Sequence, residues 1–412
     1  MSASFPTSVK SFTTKNNGDS IVASHVNDIQ DEVMAIETGV IRALKKIYNV
    51  LDYGADPTGV ADSTSAFQSA IAAAKSAAGT VYVPMGTYII TDTLDLRAAS
   101  NLQSIALVGA DACPILQCSI SGASVITFGN GAAEGTGLDA GYTKIANLNL
   151  NTNSGALPTS QSSGQCGILA STYGTGKATK IDNIVITGFA DDAIVIQGPT
   201  GPVAIRDCRI SCCAGWGIDA KAGYNSTSPQ DVNILGGSIQ VCWGGVAAKD
   251  AASRVCVINC DIELGQGGDS GTRGGRYPCL YVEPSAQAFA AYNCSLSMNG
   301  YIYASPSPAA VVYCAGSGAT FTGCLNQSSA LALDNYLFDG PYCYQCSVIG
   351  GYASNLNSSS SGYVIHLTNN VYQFAAVNPG YNGGTYQSGK NVCYAPGQSG
   401  NNIASLCLGI TY

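Results

Sequence analysis

"VLDYGADPTGVADSTSAFQSAIAAA" occupies residues 50–74, and "GTVYVPMGTYIIT" follows at 79–91. Three aspartates, Asp52, Asp56 and Asp62, stand among glycine, proline and small polar residues. Their surroundings argue for architecture rather than chemistry. "NVLDY" alternates as a strand does. Gly54 and Gly59 supply the backbone angles of a tight turn. "STSAFQSAIAAAKSAA" reads as a helix with Phe67, Ala70, Ile71 and Ala74 on one face, and Asp62 or Ser63 can cap it. Pro84-Met85-Gly86 then turns one strand into the next.

Beyond this stretch the chain repeats itself, from about Gln103 to about Tyr352. One strand recurs as "IDNIVIT" (181–187), "IRDCRIS" (205–211), "VINCDIEL" (257–264), "AYNCSLS" (291–297) and "FTGCLNQ" (321–327). Alignment puts Ile184, Cys208, Cys260, Cys294 and Cys324 in one column and Ile186, Ile210, Ile262 and Leu296 in the next inward one. "LGGSIQ" (235–240) fits between, through Gly237 and Ile239. A second strand lags behind: "GILAS" (167–171), "AIVIQ" (193–197), "GIDAK" (217–221), "GVAAK" (245–249) and "LYVE" (280–283). Its inward column is Ile168, Ile194, Ile218, Val246 and Leu280. Two strands per repeat at a variable period, separated by Gly, Asn and Asp, describe a parallel β-helix, an all-β solenoid. The stacked cysteines are then a core ladder.

Before the motif, Val26, Ile29, Val33, Ile36 and Val40 follow 3-4-3-4 spacing, continued by Ala43 and Ile47. Ser24 can cap this helix. β-branched residues at both seam positions favour a trimeric coiled coil. The residues ahead of it read as a polar, extended arm.

Composition narrows the function classes. Only 11% of the 412 residues are charged, against about 25% in an ordinary domain. A net charge of −8 disfavours nucleic acid or an anionic membrane, since both need a basic stripe. No apolar run approaches the roughly 18 residues of a membrane span, so no membrane insertion is expected. The N-terminus has no apolar segment of secretory type. The 17 cysteines therefore read as free, buried thiols of a chain folded in a reducing cytoplasm. "CC" at Cys212–Cys213 and "CYQC" at Cys343–Cys346 are zinc candidates. With only two histidines, His25 and His366, and no second paired CxxC, neither metal nor cofactor is expected.

The 50–91 stretch resembles the N-terminal motif of the pectate-lyase-like right-handed β-helix superfamily, which includes pectate lyases, polygalacturonases and bacteriophage tailspikes. The coils extend the resemblance to about residue 350. The first residues look like the virion-proximal leader of phage tail proteins. The resemblance implies a homotrimeric tailspike, made and assembled in the host cytoplasm and carried on the virion tail. It would dock to tail, baseplate or portal-proximal proteins and recognise, and hydrolyse, host capsule or O-antigen polysaccharide. The expected divisions are 1–47, attachment arm and coiled coil; 48–102, the first coil and its cap; 103–352, the coils; and 353–412, a C-terminal cap or trimer contact. A non-catalytic receptor-binding spike and a lyase or polygalacturonase-like pectin-degrading enzyme are the alternatives.

Hydrolysis needs two carboxylates. In "CDIELG", Asp261 and Glu263 point outward on one strand, about 6.6–7 Å apart, inside the window of about 6.5–9.5 Å for an inverting pair. The loop "GQGGDSGTRGGRYP" (265–278) can wall a cleft there, with Arg273 or Arg276 available to acidic sugars. The second strand offers another site. Its outward columns read Val195, Asp219, Ala247, Tyr281 and Gln197, Lys221, Lys249, Glu283. Asp219 or Glu283 could serve as acid and Tyr281 as a stacking platform, with Trp216 and Trp243 stacking on sugars or on each other. Asp191-Asp192 resembles the paired aspartates of polygalacturonases. That family's Asn-Thr-Asp, Gly-His-Gly and Arg-Ile-Lys segments have no counterpart here, so turn residues ahead of the second strand are expected.

Overall fold

A computed structural model describes residues 18, 20, 23–44, 46–97, 103–120, 122–129, 140–152, 157–171, 178–198, 202–223, 228–264, 276–298, 310–328, 334–355, 365–368, 371, 374–377 and 380–383. Three ladders of parallel strands run along it. The first starts at Ile47–Asn49 and passes through Thr80–Val83 and Gln103–Gly109 to Ala375–Val377. The second starts at Thr58–Asp62 and passes through Thr87–Ile90 and Ile115–Cys118 to Gly380–Gly383. Both share the long strands Ala140–Thr152 and Thr179–Thr187, which fuses them into one 22-stranded sheet. The third ladder, Leu94–Asp95 to Ile365–Leu367, is a separate 10-stranded sheet. This is a parallel β-helix, as the repeats predict.

Most of the described coils have three strands where the sequence reading expects two. The recurring "VINCDIEL" segment is not one strand but two, Ser253–Ile258 and Asp261–Leu264. Between them Asn259 has φ +54°. Asn183, Asp207 and Asn293 make the same bend in other coils at φ +50°, +50° and +51°, and Gly323 does so at +65°. Left-handed backbone costs most residues about 1–2 kcal/mol and is visited routinely only by Gly and, less often, Asn and Asp. These residues therefore mark the corner. The inward columns keep their period across it, which hides the corner from a reading of hydrophobicity.

The columns themselves are in register. Ile186, Ile210, Ile239, Ile262 and Leu296 pair in series, as do Ile168, Ile194, Ile218, Val246 and Leu280. All are buried. Cys208, Cys260, Cys294 and Cys324 are buried free thiols. One continuous core runs from Val50 to Ala376. The coil strands go on beyond residue 352, to Gly383.

The helix Thr64–Ala77 closes the first coil, burying Phe67, Ala70, Ile71 and Ala74. Asp62 accepts the Thr64 N–H at 2.9 Å and the Thr64 and Thr91 hydroxyls at 2.6 and 2.8 Å. Asp56 accepts the Thr58, Val60 and Ala61 N–H groups. Thr58, whose hydroxyl also donates to it, and these N–H groups hold the Asp56 carboxyl down at about 2. Gly54 and Gly59 have φ of +90° and +75°. "NVLDY" differs from its reading as a strand: Ile47–Asn49 is strand, and Val50–Tyr53 is a 3-10 turn capped by Asn49. The N-terminal helix spans Ala23–Leu44, and Val26, Ile29, Val33 and Ile36 are 43–54% exposed on the single chain. Among the described residues, no helix is long and apolar enough to cross a membrane.

Candidate functional site

Strand alternation turns Ile218 and Ala220 into the core and Asp219 and Lys221 out of it. The three following coils of the second sheet do the same. A cavity of about 430 Å³ lies on this outer face. Its walls come from four consecutive coils, with Asp192, then Trp216, Asp219 and Lys221, then Lys249, then Tyr281 and Glu283. Gln161, Ser163 and Tyr277 reach it from the segments preceding second-sheet strands.

The electrostatics are tightly organised. Asp219 points outward yet is fully buried, because its neighbours close over it. Its carboxylate is ion-paired with Lys221 at 2.8 Å and Lys249 at 3.0 Å. Asp192 is 2% exposed. It accepts the Trp216 N–H at 2.6 Å and the Lys221 ammonium at 3.1 Å. Lys221 thus touches both carboxylates and bridges them. Burial pushes the Asp192 carboxyl up to about 7, and the Asp219 charge adds to the rise against Lys221 and the Trp216 N–H. Burial opposes the charge on Lys221, yet Asp219 and Asp192 hold its ammonium above the usual lysine range. A carboxyl group with its proton balanced near neutrality is equipped for general acid–base work.

Backbone space makes this packing possible. A Cβ at Gly215 would collide with Asp192 Oδ1, and one at Gly244 would come 2.5 Å from the Trp216 ring. Trp216 stacks on Tyr277 at 5.0 Å and 16° and tilts against Tyr281 at 5.5 Å. Tyr281 stacks on Tyr313 at 5.2 Å. The Lys249 ammonium stands 4.9 Å from the Trp216 ring centre. Three aromatic rings, Trp216, Tyr277 and Tyr281, therefore line one edge of the cavity, and Tyr313 extends the row beyond it. Ring faces of this kind suit the apolar faces of sugars.

The structure gathers Asp219, Trp216, Tyr281 and Glu283 into one cavity, together with the Lys221 and Lys249 of their columns. It does not bring Trp243 there. Trp243 packs with Leu157 and Ala214 beneath the Arg276 guanidinium, 3.6 Å away, and the two tryptophans do not stack on each other. Asp261 and Glu263 lie on the other sheet, in register with Ser238 and Gln240 on one side and Ser295 and Ser297 on the other. Arg273 lies outside the described residues.

Asp192 is the residue that sequence reasoning passes over. Its neighbour Asp191 does serve the turn, accepting Gln161 Nε2 at 2.6 Å and the Gly164 N–H at 2.7 Å. Asp192 lines the cavity as Asp191 does, but it alone of the two is bonded to the Trp216 N–H and the Lys221 ammonium. The available signal was columnar, since Asp192 stands two residues before Ile194 as Trp216 does before Ile218.

Residues 47–268 match the family described as "Rhamnogalacturonase A/epimerase, pectate lyase-like". No curated protein matches the chain significantly. Among solved structures, the fold is similar to ORF18 of Geobacillus virus E2, with TM-score 0.60 and 15% identity, covering 88% of this chain. The chain spans 65% of the length of that viral protein. It is similar to DFA-IIIase from Arthrobacter chlorophenolicus A6, with TM-score 0.56 and 11% identity over 82% of this chain and 84% of that one. It is also similar to the Streptococcus pneumoniae surface protein and adhesin PfbA, with TM-score 0.51 and 14% identity over 81% and 95%. At these identities the likeness is one of fold.

Proposed function

Because the chain belongs to the rhamnogalacturonase A/epimerase, pectate-lyase-like family, we propose that it acts on polysaccharide, and that the second-sheet cavity is where it does so. The observation that carries this reading is Asp192, a buried carboxyl balanced near pH 7 beside Asp219 and a row of aromatic rings. In this reading Asp192 donates a proton to the glycosidic oxygen as its bond to the sugar carbon breaks, and a water molecule bonds to that carbon and returns a proton to Asp192. Asp219, held between two ammonium groups, supplies fixed negative charge to the sugar ring as positive charge develops there. The aromatic row orients the chain. The carboxylates of the lining outnumber its lysines, which favours neutral over acidic sugars.

The setting we propose is a phage particle, with the protein a tailspike whose N-terminal residues attach it to the tail. The viral fold neighbour and the exposed β-branched stripe on the N-terminal helix support this. Burying that stripe against two further copies would make a homotrimer.

Purified full-length protein is incubated with capsule and O-antigen preparations, and reducing ends are counted. Asp192→Asn is expected to lower turnover by about 10²–10⁴-fold, the usual worth of a general acid, while Asp261→Asn with Glu263→Gln leaves it unchanged. Full activity in Asp192→Asn, with loss in the second variant, moves the chemistry to Asp261 and Glu263. Binding with no new reducing ends from the native protein makes it a non-catalytic receptor-binding spike. The same preparation, weighed in solution, is expected at three copies of the 42.0 kDa chain, and a monomer mass removes the trimer.

A further inference from the structure

Some of the core cysteines stack one per coil. Cys260, Cys294 and Cys324 form such a column. Coils are spaced about 4.8 Å apart, so the ends of that column are too distant to share one ion. Cys314, Cys343 and Cys346 are arranged differently. Cys314 ends the second-sheet strand Ala310–Cys314. Cys343 and Cys346 lie one coil later, in the turn between Asp334–Phe338 and Ser347–Ile349. That turn folds back through Gln345 at φ +57°, bringing the two sulphurs to 3.7 Å. All three sulphurs lie within 4.8 Å of one another. They form a triangle, and each residue is at most 1% exposed.

An ion held tetrahedrally at about 2.3 Å from each of three sulphurs, with a fourth donor, needs the sulphurs about 3.8 Å apart. The 3.7 Å between Cys343 and Cys346 and the 4.8 Å limit on the other two separations are compatible with such a site. The Gly316 carbonyl approaches Cys314 Sγ at 3.6 Å and Cys346 Sγ at 3.4 Å, so an oxygen donor stands at the edge of the same triangle. We propose that Cys314, Cys343 and Cys346 form a buried structural site for a soft divalent ion of the zinc class. On loading, three sulphur–metal bonds form and three thiol protons leave to solvent. The ion ties two successive coils together near the C-terminal end of the described solenoid. "CYQC" lacks a second CxxC in the sequence because its third ligand arrives from the preceding coil, where no spacing rule reveals it. Enclosure in the core means the ion enters during folding.

The test is refolding of the full chain from denaturant, under reducing conditions, with one equivalent of Cd(II) or Zn(II), or with chelator alone. Native mass spectrometry is expected to find one ion per chain. The Cd(II) form should show thiolate-to-metal charge-transfer absorption in the ultraviolet and melt higher than the chelator-refolded protein. Cys294→Ser, in the column, keeps the band, whereas Cys343→Ser with Cys346→Ser loses it. Cys314→Ala, a small-for-small change that is easier to fold, loses it as well. A metal-free mass for the wild-type chain after refolding overturns the proposal without any variant. So does a band that survives in Cys314→Ala.

Discussion

Asp261 and Glu263 on the large sheet, and Asp192 and Asp219 at the second sheet, are both acidic pairs on the outer surface of one solenoid. The first pair shares a strand and is flanked by Ser238, Gln240, Ser295 and Ser297. Asp261 there is exposed. The second pair comes from two successive coils, one member in a turn and the other on a strand, and both are buried. Two lysines and a row of aromatic rings cover them. Suitable spacing is therefore cheap in a β-strand, where any i, i+2 pair supplies it. A changed carboxyl environment is not, because it needs side chains from several coils to converge.

The largest expected difference between the pairs lies in stability. Asp219→Ala leaves Lys249 without its carboxylate and Lys221 with only one, in a region where those side chains are 23–27% exposed. Removing one partner of a buried ion pair costs about 3–5 kcal/mol, and the partial exposure of the lysines points to the lower end, about 3. Asp261→Ala is expected within about 0.5 kcal/mol of wild type, as for other exposed positions. Urea denaturation of the two variants gives both values. Equal effects would erase the contrast between the two faces.

The difference also has a pH signature. An unfolded aspartate titrates near pH 4, whereas Asp192 in the folded protein does so at about 7. Between those values the folded chain holds a proton that the unfolded chain has released. Stability at this site is therefore greatest below about pH 4 and declines as pH rises to about 7. Asp192→Asn should flatten this part of the profile, measured as melting temperature from pH 4 to 8. A profile that the substitution leaves unchanged would deny Asp192 its unusual environment.

The two sheets were not equally legible in the sequence. The inward column from Ile168 to Leu280 can be read off directly, and alternation then places Asp219, Lys221 and Tyr281 on the outer face. Asp192 escapes because alternation is silent in turns. Gln161 and Tyr277 escape because they lie on coil insertions of irregular length, whose direction depends on packing. The third strand of these coils is hidden by one-residue corners at Asn183, Asp207, Asn259 and Asn293, which leave the apolar period intact.

A third acidic group sharpens the contrast at its smallest scale. Asp62, in the stretch that identifies the fold, is held below the usual carboxylate range chiefly by the Thr64 hydroxyl, with the Thr64 N–H and Thr91 hydroxyl assisting against burial. Its sign is opposite to that of Asp192. A depressed pKa contributes stability above about pH 4, lost as the pH falls. Asp62 is also the group that satisfies the first turn of the Thr64–Ala77 helix, since Ser63 makes no side-chain cap of its own. Asp62→Ala should therefore cost about 1 kcal/mol, the usual loss for a helix cap, at pH 7 and less at pH 3, with turnover on polysaccharide unchanged. A loss of turnover with no loss of stability would instead place chemistry at the capped end of the solenoid, far along the chain from the cavity that Asp192 and Asp219 build.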